Sequence, residues 1–284
     1  MQREAPSGRR AAGGCRRARA SQRGALQVQN IGLEGSKNTR DLGGLRAVGG
    51  TVRPRMLLRG GHLHNLTHRD RTLLRGDYRV RLIIDLRTDV ECAERPDVEI
   101  PGVVYEHIPI LDAATVGITH EHASDNRTDL LAQLPDMRQL YRAMLHGEGI
   151  RGLAEAVGLI TEFAGIDGAV LFHCTEGKDR TGAVSLFLLW MLGVPYAGIM
   201  EDYLFTNSVA TARARRYYWS VRLLKRDKAL ATRIRSLFLA DASYLDALRD
   251  EAESLYGSMD ACISEGMGIS ARAQQEFRTR MLMR

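Results

Sequence analysis

The sequence predicts an α/β protein whose central sheet is mostly parallel, flanked by helices and followed by extra C-terminal helices. The first observation is that short β-branched and apolar runs alternate with segments of helical period. The second is that capping residues, glycines and prolines separate these segments. The third is that only helical patterns follow the last predicted strand, so that the C-terminal part adds helices to the fold.

Four segments have the composition of strands. The clearest is YRVRLIIDLR, because most residues from Val80 to Leu86 are apolar, as in a strand buried on both faces. RMLLRG, GVVYEHIPI and DGAVLFH are shorter runs of similar composition. The predicted strands cover residues 55–60, 80–86, 102–110 and 168–172.

The other periodic segments predict helices. Met137, Leu140, Tyr141 and Met144 are spaced i, i+3, i+4 and i+7, which places them on one helical face. A helix over 67–76 begins at a capping threonine and ends at a glycine. Further helices are predicted over 150–164, from about 180 to 192, from 195, and over 209–240, 243–256 and 270–283.

The charge of the chain is unevenly distributed. The net charge is +6, and residues 1–29 hold seven arginines and one glutamate, so that the rest of the chain sums to zero. We therefore expect a disordered basic tail over 1–29 and a single domain over 30–284. A neutral body does not favour nucleic-acid binding, which needs a basic face.

Composition disfavours two further classes of protein. The longest apolar run, from Ala183 to Val194, is shorter than the roughly 20 residues that a membrane span needs. The four cysteines are scattered and form no CxxC pair, which disfavours a disulfide framework or a zinc site. We therefore expect a cytoplasmic protein without a metal or another cofactor.

The stretch HCTEGKDRTG, residues 173–182, concentrates reactive and charged side chains between a predicted strand and a predicted helix. Such a loop lies at the carboxyl end of a sheet strand, where ligands bind in α/β folds. Its backbone N–H groups and those of the first helical turn have no partner within the helix, and together they form an anion site. Gly177 allows a tight loop, and Arg180 offers a planar fork for two phosphate oxygens.

Cys174 is predicted to lie at the floor of this anion site. The N–H groups, the helix dipole and Arg180 all favour its thiolate form. A thiolate beneath a bound phosphate is a nucleophile for phosphoryl transfer. Thr181 can donate its hydroxyl to the sulfur and ease the departure of the sulfur in a second step.

The spacing Cys-x5-Arg between a strand and a helix resembles that of cysteine-dependent phosphatases. The full loop is similar to that of the atypical bacterial tyrosine phosphatases, which reads H-C-x-x-G-K-D-R-T-G. The resemblance covers about residues 30–284 and includes NTRDLGG, LLRGGHLHNLT, LIIDLRTDVECAERPD, EDYLFTN and SYLDALRDEAESLYGSMDACI. It implies a protein-tyrosine-phosphatase-like fold and a phosphoric monoester hydrolase.

The resemblance also implies roles for the residues of the loop. Cys174 is the nucleophile, and Arg180 binds the phosphate and stabilises the transition state. Lys178 adds a positive charge at the rim of the loop, where it would meet a second phosphate. The residues expected to bind phosphate are Thr175, Glu176, Gly177, Lys178 and Arg180, with His173 and Thr181 in support.

The general acid has two candidates. The leaving oxygen needs a proton, and Asp179 lies inside the loop that resembles the family. Asp112 follows a predicted strand and opens the longest predicted loop, 111–134, in a position similar to that of the acid of dual-specificity phosphatases. Asp85 ends another strand and is a third candidate. The sequence leaves the choice between Asp179 and Asp112 open.

Members of this family are described as acting on phosphotyrosine, and some also on phosphoserine, phosphothreonine or phosphoinositides. The segment 213–235 carries nine cations and one acid, and three aromatic residues interrupt the charges. In the family such helices can form a lid, and their charge favours an acidic phosphoprotein or a peripheral contact with a membrane surface. Two other functions stay open: a phosphate-binding module without turnover, and an arsenate-reductase-like redox enzyme.

Overall fold

The computed structural model describes residues 29–111 and 136–284, which build a six-stranded sheet and a three-stranded sheet. The mixed α/β architecture with a mostly parallel central sheet confirms the expected fold class. The strands are β1 (Gln29–Asn30), β2 (Arg40–Asp41), β3 (Arg46–Ala47), β4 (Gly50–Val52), β5 (Leu57–Gly60), β6 (Val80–Asp85), β7 (Val104–His107), β8 (Ala169–His173) and β9 (Leu282–Met283).

The larger sheet has the strand order β1-β2-β5-β8-β6-β7. The strands β5, β8, β6 and β7 are parallel neighbours, whereas β1 and β2 add an antiparallel edge. The register pairs His173 with Gly60 on one side and with Asp85 on the other. The carboxyl ends of three strands therefore lie level beside the loop that follows β8, at the edge where such sheets bind ligands.

Helices flank this sheet, and five of those described follow β8 and α5 as the expected C-terminal additions. The helices are α1 (His68–Thr72), α2 (Asp89–Glu94), α3 (Met137–Ala143), α4 (Gly147–Phe163), α5 (Asp179–Met191), α6 (Tyr196–Leu224), α7 (Lys228–Phe238), α8 (Ala242–Tyr256), α9 (Met259–Ala261) and α10 (Ala271–Met281). A π-helical turn extends α1 over Leu73–Asp77, and another extends α9 over Cys262–Gly266.

The side chains of β8 alternate between two hydrophobic clusters, one on each face of the sheet. Val170 and Phe172 pack into the larger cluster, which includes most of α5. Ala169 and Leu171 pack into the smaller cluster, which includes Leu74 of the first π-helical turn. Nearly every residue of α5 is buried, which explains why its sequence lacks a polar face.

Three features differ from the sequence prediction. The helix α6 runs without interruption to Leu224, so residues 209–224 continue it instead of starting a new helix. The break comes at Lys225, and Asp227 then caps α7 by accepting the N–H of Leu230 at 3.0 Å. The short helices α2 and α9, the strands β1 and β2 and the sheet β3-β4-β9 are not predicted, because elements this short show no reliable period.

Some expectations concern residues that lie outside the described ranges. They include the basic tail, apart from residue 29, and almost all of the predicted loop 111–134 with Asp112. The assignment of residues 30–284 to one domain stays a prediction. Within the described ranges, no helix is long and apolar enough to cross a membrane.

Candidate active site

The loop with Cys174 follows β8 directly and ends where α5 begins at Asp179. Only 2% of Cys174 is exposed. Gly177 has φ +65°, and a Cβ atom at this position would overlap with the backbone of Gly60 at the end of β5. The loop can therefore pack against β5 only with glycine at this position.

The carbonyl groups of the loop are held on its outer side. The side-chain amide of Asn38 donates to the carbonyls of Glu176 and Gly177, both at 3.0 Å. Arg59 donates to the carbonyl of Gly177 at 2.9 Å, and the N–H of His62 donates to that of Thr175 at 3.1 Å. Because the N–H and C=O of a planar peptide point in opposite directions, the following N–H groups point inward. Phosphate binding by this loop stays a prediction.

A buried ion-pair network supports these contacts from behind. Asp202 of α6 accepts from Arg40 at 2.7 Å and from Arg59 at 2.5 Å, and all three side chains are at most 1% exposed. Burial raises the pKa of Asp202, but the two guanidinium groups lower it more, so that it lies below its ordinary value. Arg40 also donates to Asn38 at 2.6 Å. The motifs NTRDLGG, LLRGG and EDYLFTN thus meet beneath the loop.

Arg180 is held by the carboxylate of Glu91, a residue that is not among the predicted site residues. Its two terminal nitrogens donate to the two carboxylate oxygens of Glu91, at 2.6 and 2.8 Å. The Thr175 hydroxyl also donates to Glu91. Burial lowers the pKa of Arg180, but Glu91 and then the nearby Cys174 raise it above its ordinary value. The guanidinium therefore keeps a fixed orientation and a permanent charge beside the cysteine.

Glu91 could have been found from a local signal. Thr88 and Glu91 form a capping box at the start of α2, in which each side chain accepts the backbone N–H of the other. This spacing is readable in the sequence, although it does not show which residue the carboxylate meets. Burial raises the pKa of Glu91, but Arg180, Thr175 and the N–H of Thr88 lower it to about 2, so that the side chain is ionised.

Asp179 is the first residue of α5, and its side chain is 19% exposed. The hydroxyl of Tyr141 donates to its Oδ1 at 2.8 Å, and the hydroxyl of Tyr203 lies 2.7 Å from that of Tyr141. Burial and the charge of Asp179 raise the pKa of Tyr141 well above its ordinary value, so that the phenol stays protonated. Asp112, the competing candidate for the acid, lies outside the described residues.

Lys178 is not at the rim of the loop, where the family resemblance places it. Its side chain is 1% exposed, and the ammonium donates to the carbonyl of Leu237 and, at 3.3 Å, to that of Leu239. These carbonyls lie at the end of α7, where helices leave carbonyls without intrahelical partners. Glu176 pairs with Arg213 of α6. Two charged side chains of the loop thus bind the hairpin of α6 and α7.

His173 is fully buried beneath the loop. One ring nitrogen lies 2.8 Å from Asp97, and the other lies 3.4 Å from the carbonyl of Cys174 and 3.9 Å from Asp85. Burial lowers the pKa of His173, but Asp85 and Asp97 raise it more, and the pKa lies above its ordinary value. These contacts join His173 to two acidic side chains, and its supporting role stays a prediction.

Asp85, Asp97 and His173 lie close enough together to hold a metal ion. Arg87, however, lies 2.6 Å from Asp85 and 3.0 Å from Asp97, so that a guanidinium already supplies the positive charge. Asp85 also accepts from Tyr105 at 2.8 Å. These contacts give Asp85 a structural place beneath the sheet edge and do not favour a metal site.

Thr181 is fully buried on α5, but the predicted hydrogen bond to the sulfur of Cys174 is not made. Its hydroxyl has no hydrogen-bond partner among the described residues. A buried hydroxyl usually has a hydrogen-bond partner, so the Thr181 hydroxyl is available to a group that enters the site.

Taken together, the loop has backbone donors on its inner side, a fixed guanidinium and a recessed cysteine, and this combination suits a phosphate ester. Residues 31–283 match the sequence profile of the tyrosine phosphatase family. The chain belongs to the tyrosine phosphatase family. This phosphatase is accordingly a phosphoric monoester hydrolase, as the sequence predicts.

Three related proteins carry similar names. A provisionally named tyrosine-protein phosphatase of Cupriavidus necator is 28% identical over 249 residues, which cover 84% of this phosphatase and 85% of that protein. A tyrosine-protein phosphatase of Nostoc commune is 31% identical over 155 residues, 51% of this chain and 46% of its own. The triple specificity protein phosphatase PtpB of Mycobacterium tuberculosis is 26% identical over 274 residues, 87% of this chain and 96% of its own.

Proposed function

We propose that this phosphatase hydrolyses phosphotyrosine in proteins through a cysteinyl-phosphate intermediate on Cys174. The observation that carries the proposal is the fork of Arg180, which Glu91 fixes beside Cys174 at the entrance to α5. The guanidinium would grip two phosphate oxygens, and the N–H groups of residues 175–180 would bind the others.

The reaction has two steps. In the first, the Cys174 thiolate attacks phosphorus, the bond between phosphorus and the tyrosine oxygen breaks, and Asp179 gives its proton to that oxygen. In the second, water attacks the phosphorus and gives a proton to the Asp179 carboxylate, and the bond between sulfur and phosphorus breaks. The free hydroxyl of Thr181 donates to the departing thiolate. Phosphate leaves, and both side chains return to their initial states.

The substitution Cys174→Ser tests this mechanism. Activity on p-nitrophenyl phosphate should be lost, while the free energy of unfolding should be close to that of the wild type. A chelator of divalent metals should leave the wild-type rate unchanged. Full activity of Cys174→Ser, or loss of activity upon chelation, would contradict the mechanism.

We choose Asp179 as the general acid because its carboxylate is anchored on the first turn of α5, next to Arg180 in the chain. The substitutions Asp179→Asn and Asp112→Asn separate the two candidates. A general acid contributes roughly 10²–10⁴-fold to the rate, and most for a poor leaving group. Asp179→Asn should therefore lower turnover of phenyl phosphate far more than Asp112→Asn; the reverse order would assign the acid to Asp112.

Phosphotyrosine is favoured because Cys174 is recessed, and a phosphotyrosine ring holds its phosphate further from the peptide backbone than phosphoserine does. Phosphoserine, phosphothreonine and phosphoinositides are the alternative substrates. A panel of matched phosphopeptides and short-chain phosphoinositides should show the highest kcat/KM for phosphotyrosine peptides.

We also propose a peripheral contact of the basic hairpin with an anionic membrane surface. Trp219, Leu223 and Leu224 near its tip are 53%, 72% and 75% exposed. Exposed cations such as Arg226 and Lys228 lie beside them, and the one acid there, Asp227, caps α7. Exposed tryptophan and leucine among cations suit a membrane interface better than an acidic protein, which would leave them in water.

Vesicle sedimentation tests this contact. Wild-type protein should bind vesicles that contain phosphatidylserine and not vesicles of phosphatidylcholine alone. The double substitution Leu223→Ser with Leu224→Ser should abolish binding, whereas the control Ile166→Ser, at a residue that is 69% exposed elsewhere, should not. Equal binding by the double variant, or no binding by the wild type, would contradict the contact.

The cysteine mechanism needs a reduced thiol, and we propose the cytoplasm as its compartment. Cys92, Cys174 and Cys262 are all free thiols in the structure. The redox alternative gains no support, because Cys92 contacts Asp85 and His107 and burial raises the pKa of Cys262 to about 11. Neither Cys92 nor Cys262 therefore supplies a thiolate that would attack a bond formed at the Cys174 sulfur.

A further inference from the structure

Two buried tyrosines meet beside Asp179. Tyr141 of α3 and Tyr203 of α6 are 0% and 1% exposed, and their hydroxyl oxygens are 2.7 Å apart. The first of these hydroxyls also lies 2.8 Å from Oδ1 of Asp179 on α5. Two phenylalanines would fill the same space without the cost of burying two hydroxyl groups. The hydroxyl groups therefore have a purpose that packing does not supply.

The direction of these hydrogen bonds follows from the chemistry of the groups. An ionised carboxylate can only accept, so the Tyr141 hydroxyl donates its single proton to Oδ1 of Asp179. The Tyr141 oxygen is then free to accept the proton of Tyr203. The Lys178 ammonium lies 3.5 Å from the same Oδ1 and forms an ion pair with it. Both contacts are made with one oxygen of the carboxylate, which leaves Oδ2 for other partners.

We infer that Tyr141 is a positioning residue that places the transferable proton of Asp179 on Oδ2, with Tyr203 holding the Tyr141 hydroxyl in line. The inference rests on the proposed role of Asp179 as the general acid. When the carboxyl is protonated, a proton on Oδ2 lets Oδ1 keep the hydrogen bond from Tyr141. The bond between Oδ2 and its proton breaks as the tyrosine oxygen of the substrate takes that proton. The carboxylate that remains keeps the Tyr141 donor until water returns a proton.

The substitution Tyr141→Phe removes the donor and keeps the ring. We expect kcat for phenyl phosphate to fall about tenfold or more, since a misplaced acid loses part of the roughly 10²–10⁴-fold that acid catalysis supplies. For p-nitrophenyl phosphate, whose leaving group needs little protonation, kcat should fall by no more than about threefold. KM should stay unchanged for both substrates, because the phosphate contacts are not altered. Tyr203→Phe should have the same pattern with a smaller effect.

Tyr196→Phe is the matched control, because the Tyr196 hydroxyl donates to Asp246 at the same distance of 2.8 Å, away from the loop. Tyr196→Phe should leave kcat unchanged for phenyl phosphate and for p-nitrophenyl phosphate. An equal loss on both aryl phosphates in Tyr141→Phe would indicate a general packing defect and would overturn the inference.

The double variant Tyr141→Phe with Asp179→Asn separates this inference from the proposed function. If Tyr141 acts through Asp179, the double variant should be no slower than Asp179→Asn alone. If Tyr141→Phe lowered kcat in Asp179→Asn as much as it does in the wild type, the positioning role would be overturned. The phosphatase mechanism would still stand. Unchanged activity of Asp179→Asn on phenyl phosphate would overturn both the acid assignment and the inference, and full activity of Cys174→Ser would overturn the mechanism itself.

Discussion

The carboxylate of Glu91 spans the two terminal nitrogens of Arg180, at 2.6 and 2.8 Å, and so fixes the plane of the guanidinium. Glu91 binds the edge of the Arg180 guanidinium that is formed by the two terminal nitrogens. The edge that includes Nε is left for the substrate. Helix α2 is short, but its capping box holds the start of the helix, and with it Glu91, in place.

Replacing Glu91 by glutamine should therefore impair catalysis. One carboxylate oxygen is replaced by an NH2 group, which cannot accept from Arg180, so the guanidinium loses its fixed orientation. We expect kcat/KM for p-nitrophenyl phosphate to fall about a hundredfold, the cost of a displacement of about 1 Å in a catalytic group. Asp89→Asn on the same helix, where the side chain is 91% exposed, is the control and should keep wild-type kinetics. Wild-type kinetics of Glu91→Gln would show that Arg180 is held without it.

The substitution Asp202→Asn should destabilise the fold. It leaves the charges of Arg40 and Arg59 buried without their counter-ion, and breaking such a pair costs about 3–5 kcal/mol. Urea unfolding at neutral pH should show this loss. Asp246→Asn, at a side chain that is 40% exposed, should cost less than about 1 kcal/mol.

The effect of Asp202→Asn should also depend on pH. Because the pKa of Asp202 is lowered in the folded state, its carboxylate adds stability above the ordinary value of 3.8 and loses it as the pH falls through the lowered pKa. The stability difference between wild type and variant should therefore shrink in acid. A difference that grows in acid would contradict the ion-pair account.

Gly177→Ala should abolish activity, whereas Gly257→Ala should not. Both glycines have positive φ, +65° and +83°, so both variants carry a similar backbone strain. Only at Gly177 does the added methyl group also meet the backbone of Gly60, while the space around Gly257 is open. We expect a loss of about a hundredfold or more in kcat for Gly177→Ala. Equal kinetics of the two variants would show that the loop tolerates a shift away from β5.

Lys178→Met should loosen the hairpin of α6 and α7. The methionine keeps the buried stem but cannot donate to the carbonyls of Leu237 and Leu239. Trypsin cleavage within 222–235 should become about fivefold faster. A loss of about 1 kcal/mol in the free energy that holds the hairpin closed raises the fraction of molecules with an open hairpin by that factor. Lys37→Met, at an exposed lysine, is the control with the same substitution. Unchanged cleavage would show that the hairpin is held without Lys178.

The sequence predicts the parts of the site that are local. Cys174, Gly177 and Arg180 lie within one loop between a strand and a helix, so spacing alone places them together. The alternating strands and helices are predicted for the same reason, because each period is written in a short window.

Long-range contacts are not predicted. Glu91 lies 89 residues before Arg180, and Tyr141 lies 38 residues before Asp179, so neither pairing can be read from spacing. The position of Lys178 at the rim of the loop is implied by the family resemblance, not by a contact that the sequence shows. The end of α7, 59 residues further along the chain, covers it and supplies carbonyl partners that no local pattern reveals.

The most direct measurement is to trap the intermediate. The enzyme is mixed with a phosphotyrosine peptide that carries radiolabelled phosphate, quenched in acid during turnover, and digested to locate the label. Phosphate bound to the sulfur of Cys174 in the wild type, and no label in Cys174→Ser, is the predicted result. Rapid release of phosphate with no label on Cys174 at any time would contradict the proposed mechanism.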